Sequence, residues 1–246
     1  MTKVRMGDGG CQGELSHLPL TSITQRVQWI RERIEAARRR RSSAAAGPVA
    51  LLAATKGIPV EMIQEAVEAG VDAIGENRAQ ELAHKCSQWR PPVPCHFIGR
   101  LQRNKVRLAL QWCDVIQSVD SLPLAEAIHR QAAGRRRRVL VQVNVAAEAT
   151  KAGFAPDAVA PALEQMAQWD GLAVEGLMAI PPYAADPESA RPYFRQLRAL
   201  AERMGTITGI SMTTLSMGMS HDFEVAVEEG ATMVRIGTAL FGPRKD

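Results

Sequence analysis

Aromatic side chains are scarce, at 4% of 246 residues, so Ala, Val, Leu, Ile and Met must fill most of the interior. Cysteine is equally sparse. Cys11, Cys86, Cys95 and Cys113 show neither CxxC spacing nor a partnered histidine spacing, which sets aside zinc sites and disulfide scaffolds. Four scattered thiols suit a reducing compartment, and the chain reads as cytoplasmic. No apolar run is long enough to span a bilayer, so no membrane association is expected. The first twenty residues, with Gly7, Asp8, Gly9 and Gly10, lack a hydrophobic signal region and read as a disordered extension, 1–20.

Excess charge of either sign is also small, at a net +4. Much of it sits in two runs, Arg38 to Arg41 and Arg135 to Arg138. The first closes an amphipathic helix, where cations complement the negative end of the dipole. The second precedes a strand, where a solvated loop is expected. Neither run is interleaved with aromatics and no binding motif accompanies them, so nucleic acid is not an expected partner.

What remains is an ordinary globular composition, 46% hydrophobic and 23% charged, in a length that suits one α/β barrel. Residues 20–46 carry Ile23, Val27, Ile30, Ile34 and Ala37 at helical spacing, with Thr21 or Ser22 as cap. From residue 49 onward the chain alternates. Strands are predicted at 49–56, 71–75, 95–99, 114–119, 139–145, 172–180, 213–216 and 232–236. Helices follow at 59–70, 79–89, through Val106 and Leu110, and at 122–133, 156–169, 187–204 and 220–229, with room for a short one after Gly237. Eight strand–helix units predict a single (β/α)8 TIM barrel over 21–246 with an extra N-terminal helix. A doubly wound sheet is the alternative, but no GxGxxG follows the first strand.

Barrel sites lie at the carboxyl ends of the strands. The first strand ends in Lys56, where desolvation would favour the neutral amine and condensation with an aldehyde such as pyridoxal phosphate. The plainer reading is a lysine whose stem packs while its head reaches solvent. The Ser216-Met217-Gly218-Met219-Ser220 turn after strand seven and Arg235-Ile236-Gly237-Thr238 after strand eight resemble phosphate cradles, each leading towards a helix. Arg235 interrupts an apolar strand, so it either pairs internally, with Glu76 for example, or meets a bound ring nitrogen. His96 reads as a packed neutral histidine, His221 as a first-turn helix residue, and Tyr183 as a loop residue at the barrel mouth.

Longer stretches carry a resemblance. Ala54-Thr-Lys56-Gly-Ile-Pro59, Gly75-Glu-Asn77, the run from His96 to Lys105, Asn144 with Glu148 to Gly153, Gly176 to Pro181, Leu215 to Ser220 and Val234 to Thr238 resemble the pyridoxal phosphate homeostasis proteins, a family related to the alanine racemase barrel. They occur in order from about residue 49 to the end. The resemblance implies pyridoxal 5′-phosphate held as a Schiff base on Lys56, with Arg235 facing the pyridine nitrogen. It places Ser216, Gly237 and Thr238 at the phosphate, Met217 and Gly218 in the same turn, Asn77 beside the ring, and Met178 and His96 in the surrounding lining. Thr55 departs from the serine common before the lysine. The implied role is a monomeric protein that buffers or delivers the cofactor, with pyridoxal phosphate-dependent apoenzymes as recipients. The alternative is a weak amino-acid racemase or another enzyme of this cofactor. Ordinary catalysis is not expected, because racemase chemistry needs a second-domain tyrosine opposite the lysine, for which the chain after strand eight leaves no room.

Overall fold

The computed structural model describes residues 22–41, 47–148 and 151–243, so the expectation for 1–20 lies outside the described residues. Eight parallel strands close into a barrel in chain order: β1 (Ala50–Ala54), β2 (Ala73–Glu76), β3 (Cys95–Phe97), β4 (Val115–Val119), β5 (Arg137–Gln142), β6 (Leu172–Met178), β7 (Thr214–Ser216) and β8 (Met233–Ile236). β1 pairs with both β2 and β8, which closes the ring. Helices alternate with them: α2 (Val60–Glu68), α3 (Ala79–Gln88), α4 (Val106–Trp112), α5 (Leu122–Arg130), α6 (Val159–Met166), α7 (Arg191–Thr208), α8 (Phe223–Glu228) and α9 (Thr238–Phe241), with α1 (Ile23–Arg39) in front. Among the described residues no helix is long and apolar enough to cross a membrane.

Strand alternation sorts the side chains into two layers. Leu51 and Ala53 of β1 join the large core shared with the helices, while Leu52 packs inside the barrel with Ala73, Ile98 and Met233. Val115, Leu140 and Met178 form a second small apolar group. Gly176 on β6 sits where a Cβ would overlap the Thr214 carbonyl, so only glycine lets these strands approach so closely.

The extra helix is structural rather than appended. Ser22 caps α1 in a reciprocal capping box with Gln25, and Ile23, Val27, Ile30, Ile34 and Ala37 are buried. α9, which follows β8, has only four residues and cannot cover its share of the barrel. α1 takes that place, packing against α2, α8 and α9. Ile23 N donates to Glu65 (3.1 Å), Arg33 meets Glu224 (2.5 Å), and Arg40 meets Glu228 (2.6 Å).

Apart from Arg39 and Arg135, both arginine runs are therefore absorbed by the fold. Arg41 donates to the carbonyls of Val227 and Ala231. β5 begins two residues earlier than the sequence reading, taking Arg137 and Arg138 out of the expected loop. Arg138 meets Glu175 at 2.6 Å, and Arg136 reaches the Leu172 carbonyl at 3.2 Å. Because α1 seals one side of the barrel, Ile30→Ala is expected to cost about 2–5 kcal/mol of stability. Urea unfolding with an unchanged m-value would measure it, and a loss below about 0.5 kcal/mol would show α1 to be dispensable.

Candidate functional site

Lys56 follows β1 after one intervening residue, in a turn with Gly57, whose φ of +73° suits glycine. The lysine is half-buried rather than enclosed, and its side chain has no hydrogen-bond or ion-pair partner among the described residues. Its backbone neighbours are clamped. Thr55 is buried and donates through Oγ1 to Glu76 Oε1 (2.7 Å) and to the Gly75 carbonyl (3.1 Å). Lys85 from α3 donates to the Thr55 carbonyl (2.7 Å), Glu76 (2.5 Å) and Glu81 (2.7 Å), while Gly57 N–H donates to Glu81 (2.5 Å). Burial pushes the Glu76 carboxyl up, against the Lys85 and Thr55 donors. Burial also raises Glu81, but Lys85 and the Gly57 N–H outweigh it and hold the group low. Two carboxylates sharing one ammonium thus fix the chain on both sides of Lys56 and leave its amine unengaged.

The register of β1 against β8 places Leu52 beside Arg235. Arg235 is 4% exposed and makes no ion pair among the described residues. Instead Nη1 donates to Ser216 Oγ (2.7 Å) and Nη2 to the Ala179 carbonyl (2.9 Å). Burial pulls the guanidinium down to about 10, opposed by the charge of Asp222, so it stays protonated at neutral pH. The internal pair with Glu76 considered above does not form, because Glu76 is committed to Lys85.

Arginine cannot accept, so Ser216 Oγ must, and the orientation of the Gln117 amide sets the rest of the chain. Ser216 Oγ accepts from Arg235 and sends its proton to Gln117 Oε1 (2.6 Å). The Gln117 amide nitrogen then faces His96 Nδ1 (2.6 Å), which must accept. His96 is accordingly neutral with its proton on Nε2, and burial pulls it down to about 4, with the charge of Arg138 adding to the effect. A chain of buried hydrogen bonds crosses the barrel interior from β8 through β7 and β4 to β3.

The loops after β7 and β8 meet. Arg235 N–H donates to the Gly218 carbonyl (3.0 Å), and Ser220 Oγ accepts from Gly237 N–H (3.3 Å) and Ala239 N–H (3.1 Å). Gly218 has φ +90°, and a Cβ there would fall 2.6 Å from Ala226 Cβ. α8 starts at Phe223, three residues later than the sequence reading, because Asp222 Oδ1 accepts the Met219 N–H (2.7 Å) and turns the loop first. His221 therefore lies in this turn and not in a helix. Its Nε2 is buried without a partner, and its ring lies 5.5 Å from that of Tyr183, which is 84% exposed.

The sequence profile of the alanine racemase N-terminal domain family matches residues 25–245. A pyridoxal phosphate homeostasis protein of Aquifex aeolicus is 45% identical over 198 residues, covering 79% of this chain and 87% of that one. The namesake from Pseudomonas aeruginosa is 41% identical over 216 residues, covering 85% and 92%. Among solved structures, PipY of Synechococcus elongatus with pyridoxal phosphate bound superposes with a TM-score of 0.77 at 34% identity, over 90% of this chain and all of that one. The chain belongs to the pyridoxal phosphate homeostasis protein family. Membership adds no geometry, and the residues singled out by sequence fall into two groups. Lys56, Ser216, Gly218, Arg235, Gly237 and Thr238 lie on the adjacent strands β1, β7 and β8 or in the loops that leave them, with Asn77 just after β2. His96 lies across the barrel on β3, Met178 is fully buried on β6 with Val115 and Leu140, and Met217 is fully buried in the strand–helix core.

Three residues were missed. Gln117, a lone amide in the apolar strand Val115–Val119, was visible as an anomaly of the same kind as Arg235. Ser220 was quoted in the cradle stretch but not separated from Ser216. Lys85 looked like any exposed helical lysine, because nothing local marks a partner nine residues back.

Ser216→Ala removes the acceptor of Arg235 Nη1 and is expected to destabilise by about 1–3 kcal/mol, read by thermal or denaturant unfolding. His96 sits below its ordinary 6.5 in the fold, so the unfolded state protonates first, and stability falls as pH drops from 6.5 towards about 4. His96→Gln should flatten that limb of the stability curve. An NMR midpoint for native His96 above about 6 would contradict the hydrogen-bond assignment.

Proposed function

We propose that the protein binds pyridoxal 5′-phosphate and buffers it or hands it on, with Lys56 as the attachment point. The observation that carries this reading is the placement of one unengaged, half-buried amine on β1 beside a buried arginine and the paired loops on β7 and β8. The residues present fit such a group. Gly218 opens a turn that a side chain would fill, and His221 Nε2 is an orphaned buried polar atom next to Ser220. The bound group, when present, supplies an aldehyde that condenses with a primary amine.

Each part of this chain then has a task. Thr55 and Gly57, fixed by Glu76, Lys85 and Glu81, set the position of the Lys56 amine. The hydroxyl of Ser220 and the backbone of Gly237 and Thr238 recognise the phosphate in place of the expected Ser216, whose hydroxyl is buried and engaged with Arg235 and Gln117, and Gly218 gives the clearance. Arg235, which cannot give up its proton, holds a ring nitrogen unprotonated and so weakens the electron sink that amino-acid chemistry needs. Ser216, Gln117 and His96 hold Arg235 in place, Asn77 lies at the rim, and Met178 and Met217 support the strands from within the core. The finer parts of the reading are a monomeric, cytoplasmic carrier that loads pyridoxal phosphate-dependent apoenzymes. Three described cysteines, Cys86, Cys95 and Cys113, are free and buried, which supports a reducing compartment.

Addition of pyridoxal phosphate to the purified protein should give a yellow species that borohydride bleaches, with the reduced adduct mapping to Lys56 by peptide mass analysis. Lys56→Ala should abolish the adduct while leaving the melting temperature of the apoprotein within a few degrees, since the side chain makes no hydrogen bond or ion pair among the described residues. An adduct of unchanged yield in Lys56→Ala would overturn the assignment. Sustained racemisation of an amino acid, lost with Lys56→Ala, would replace the carrier reading by the enzymatic one.

A further inference from the structure

The loops after β2, β3 and β4 enclose a cleft of about 830 Å³ at the same end of the barrel as Lys56, on strands that do not carry the Lys56, β7 and β8 groups. Asn77 lies on its rim, and the stretch from His96 to Lys105 contributes Phe97, Arg100, Leu101, Gln102, Arg103 and Lys105 to its wall. Arg78, Arg100, Arg103 and Lys105 line this cleft, and none of their side chains has an ion-pair or hydrogen-bond partner among the described residues. Elsewhere Arg33, Arg40, Arg138 and Arg191 each meet a carboxylate within 2.8 Å, and the other arginines without a partner among the described residues, such as Arg39, Arg90, Arg107, Arg135 and Arg203, do not gather on one concave wall. Four like charges gathered on one concave wall repel one another, a cost that Asp120 in the lining and Glu81 near Arg78 offset only in part.

A second feature points the same way. α3 and α5, ten and nine residues long, begin at this cleft, and neither has a side-chain cap. Ser121, in the capping position of α5, spends its hydroxyl on Asp120 (3.0 Å), the one carboxylate of the lining. First-turn N–H groups left without side-chain caps favour an anion in front of them, although α3 already carries Glu81 in its first turn and Pro123 of α5 has no N–H to offer. The rest of the wall includes Phe97, Leu101 and Leu124, so the cleft is apolar as well as cationic. Its volume lies in the range of small-molecule sites and far exceeds a bare phosphate ion.

We infer that this cleft is a second ligand site for an organic phosphate monoester, with the phosphate among Arg78, Arg100, Arg103 and Lys105 and the carbon body against Phe97, Leu101 and Leu124. Guanidinium forks match phosphate oxygens in pairs, which suits arginine over lysine at three of the four places. An acidic peptide would spread its charges along an extended backbone, whereas these cations converge on one walled volume.

Calorimetric titration of the full chain with AMP, pyridoxine 5′-phosphate (which lacks an aldehyde), adenosine and inorganic phosphate tests this. The comparison proteins are Lys56→Ala and the double variant Arg100→Gln/Arg103→Gln, whose two side chains are exposed and outside the folding core. One equivalent of at least one monoester should bind saturably, weaken by about tenfold or more in the double variant, and persist in Lys56→Ala. The monoester whose binding is lost more on the double substitution identifies the body the cleft prefers, nucleoside or pyridine. Adenosine should not bind. The inference is overturned if neither monoester binds, if binding vanishes in Lys56→Ala but survives in the double variant, or if inorganic phosphate binds as tightly as both esters. Displacement of bound AMP by polyglutamate at lower concentration would likewise overturn it, in favour of an acidic macromolecule.

Discussion

A guanidinium buried inside a parallel barrel is the constraint around which much of this structure is arranged. Removing such a charge from water without partners is prohibitive, and no described carboxylate lies in bonding reach of Arg235. The barrel meets this with neutral oxygens, one from Ser216 and one from the Ala179 backbone, and with the more distant charge of Asp222. With the Gln117 amide oxygen facing Ser216 and its nitrogen facing His96, the protons of the chain run in one direction. Ser216 donates to Gln117, Gln117 donates to His96, and His96 is left neutral. A carboxylate in place of Ser216 would have neutralised the arginine locally and made the amide and the imidazole unnecessary. The neutral solution leaves a permanent positive charge at the barrel interior, available to a group placed beside it.

The second constraint is the length of the helix after β8. Four residues cannot cover two strands, so the helical ring would be open between α8 and α2. α1 closes it with a row of five buried apolar residues and with arginines that reach across to Glu224, Glu228 and the Val227 carbonyl. The short α9 has a consequence at the site. With the bulk of the cover supplied by α1, the chain just after β8 is free to form the Gly237–Ala239 turn against Ser220, where a full-length helix would have continued.

The barrel was legible because its signal is repetitive: eight apolar runs spaced by amphipathic segments leave few alternatives, and most strand boundaries fall within two or three residues, whereas α7 is shifted by four at both ends and α1 ends at Arg39, short of residue 46. Lys56 and Arg235 were legible because charge at the end or middle of an apolar strand is costly and therefore informative. Their partners were not. Lys85 joins Glu76 across a strand–helix unit, Ser220 joins Gly237 across seventeen residues, and Gln117 joins Ser216 across ninety-nine. Such contacts depend on strand register and loop path, which a pattern of hydrophobicity does not encode. The arginine runs show the converse. They were the loudest electrostatic feature of the sequence, yet apart from Arg39 and Arg135 each finds a partner in the fold, whereas the four unpaired cations of the cleft are scattered over twenty-eight positions and formed no run.

The geometry around Lys56 bears on why a carrier needs this arrangement. An attachment point must be fixed well enough to select one geometry, yet the attached group must be able to leave. Rigidity here comes from the backbone, through Glu76, Lys85 and Glu81 acting on Thr55 and Gly57, and not from contacts to the amine itself. The side chain is half-buried and makes no hydrogen bond or ion pair among the described residues, so none would be broken by the detachment the proposal requires. In the proposed role Arg235 would act in the same direction, since a fixed proton donor facing a ring nitrogen would withhold the protonation that draws electrons from a bonded amino acid. Tight fixation of the neighbours, freedom of the amine and a damped electron sink together favour holding and release over turnover.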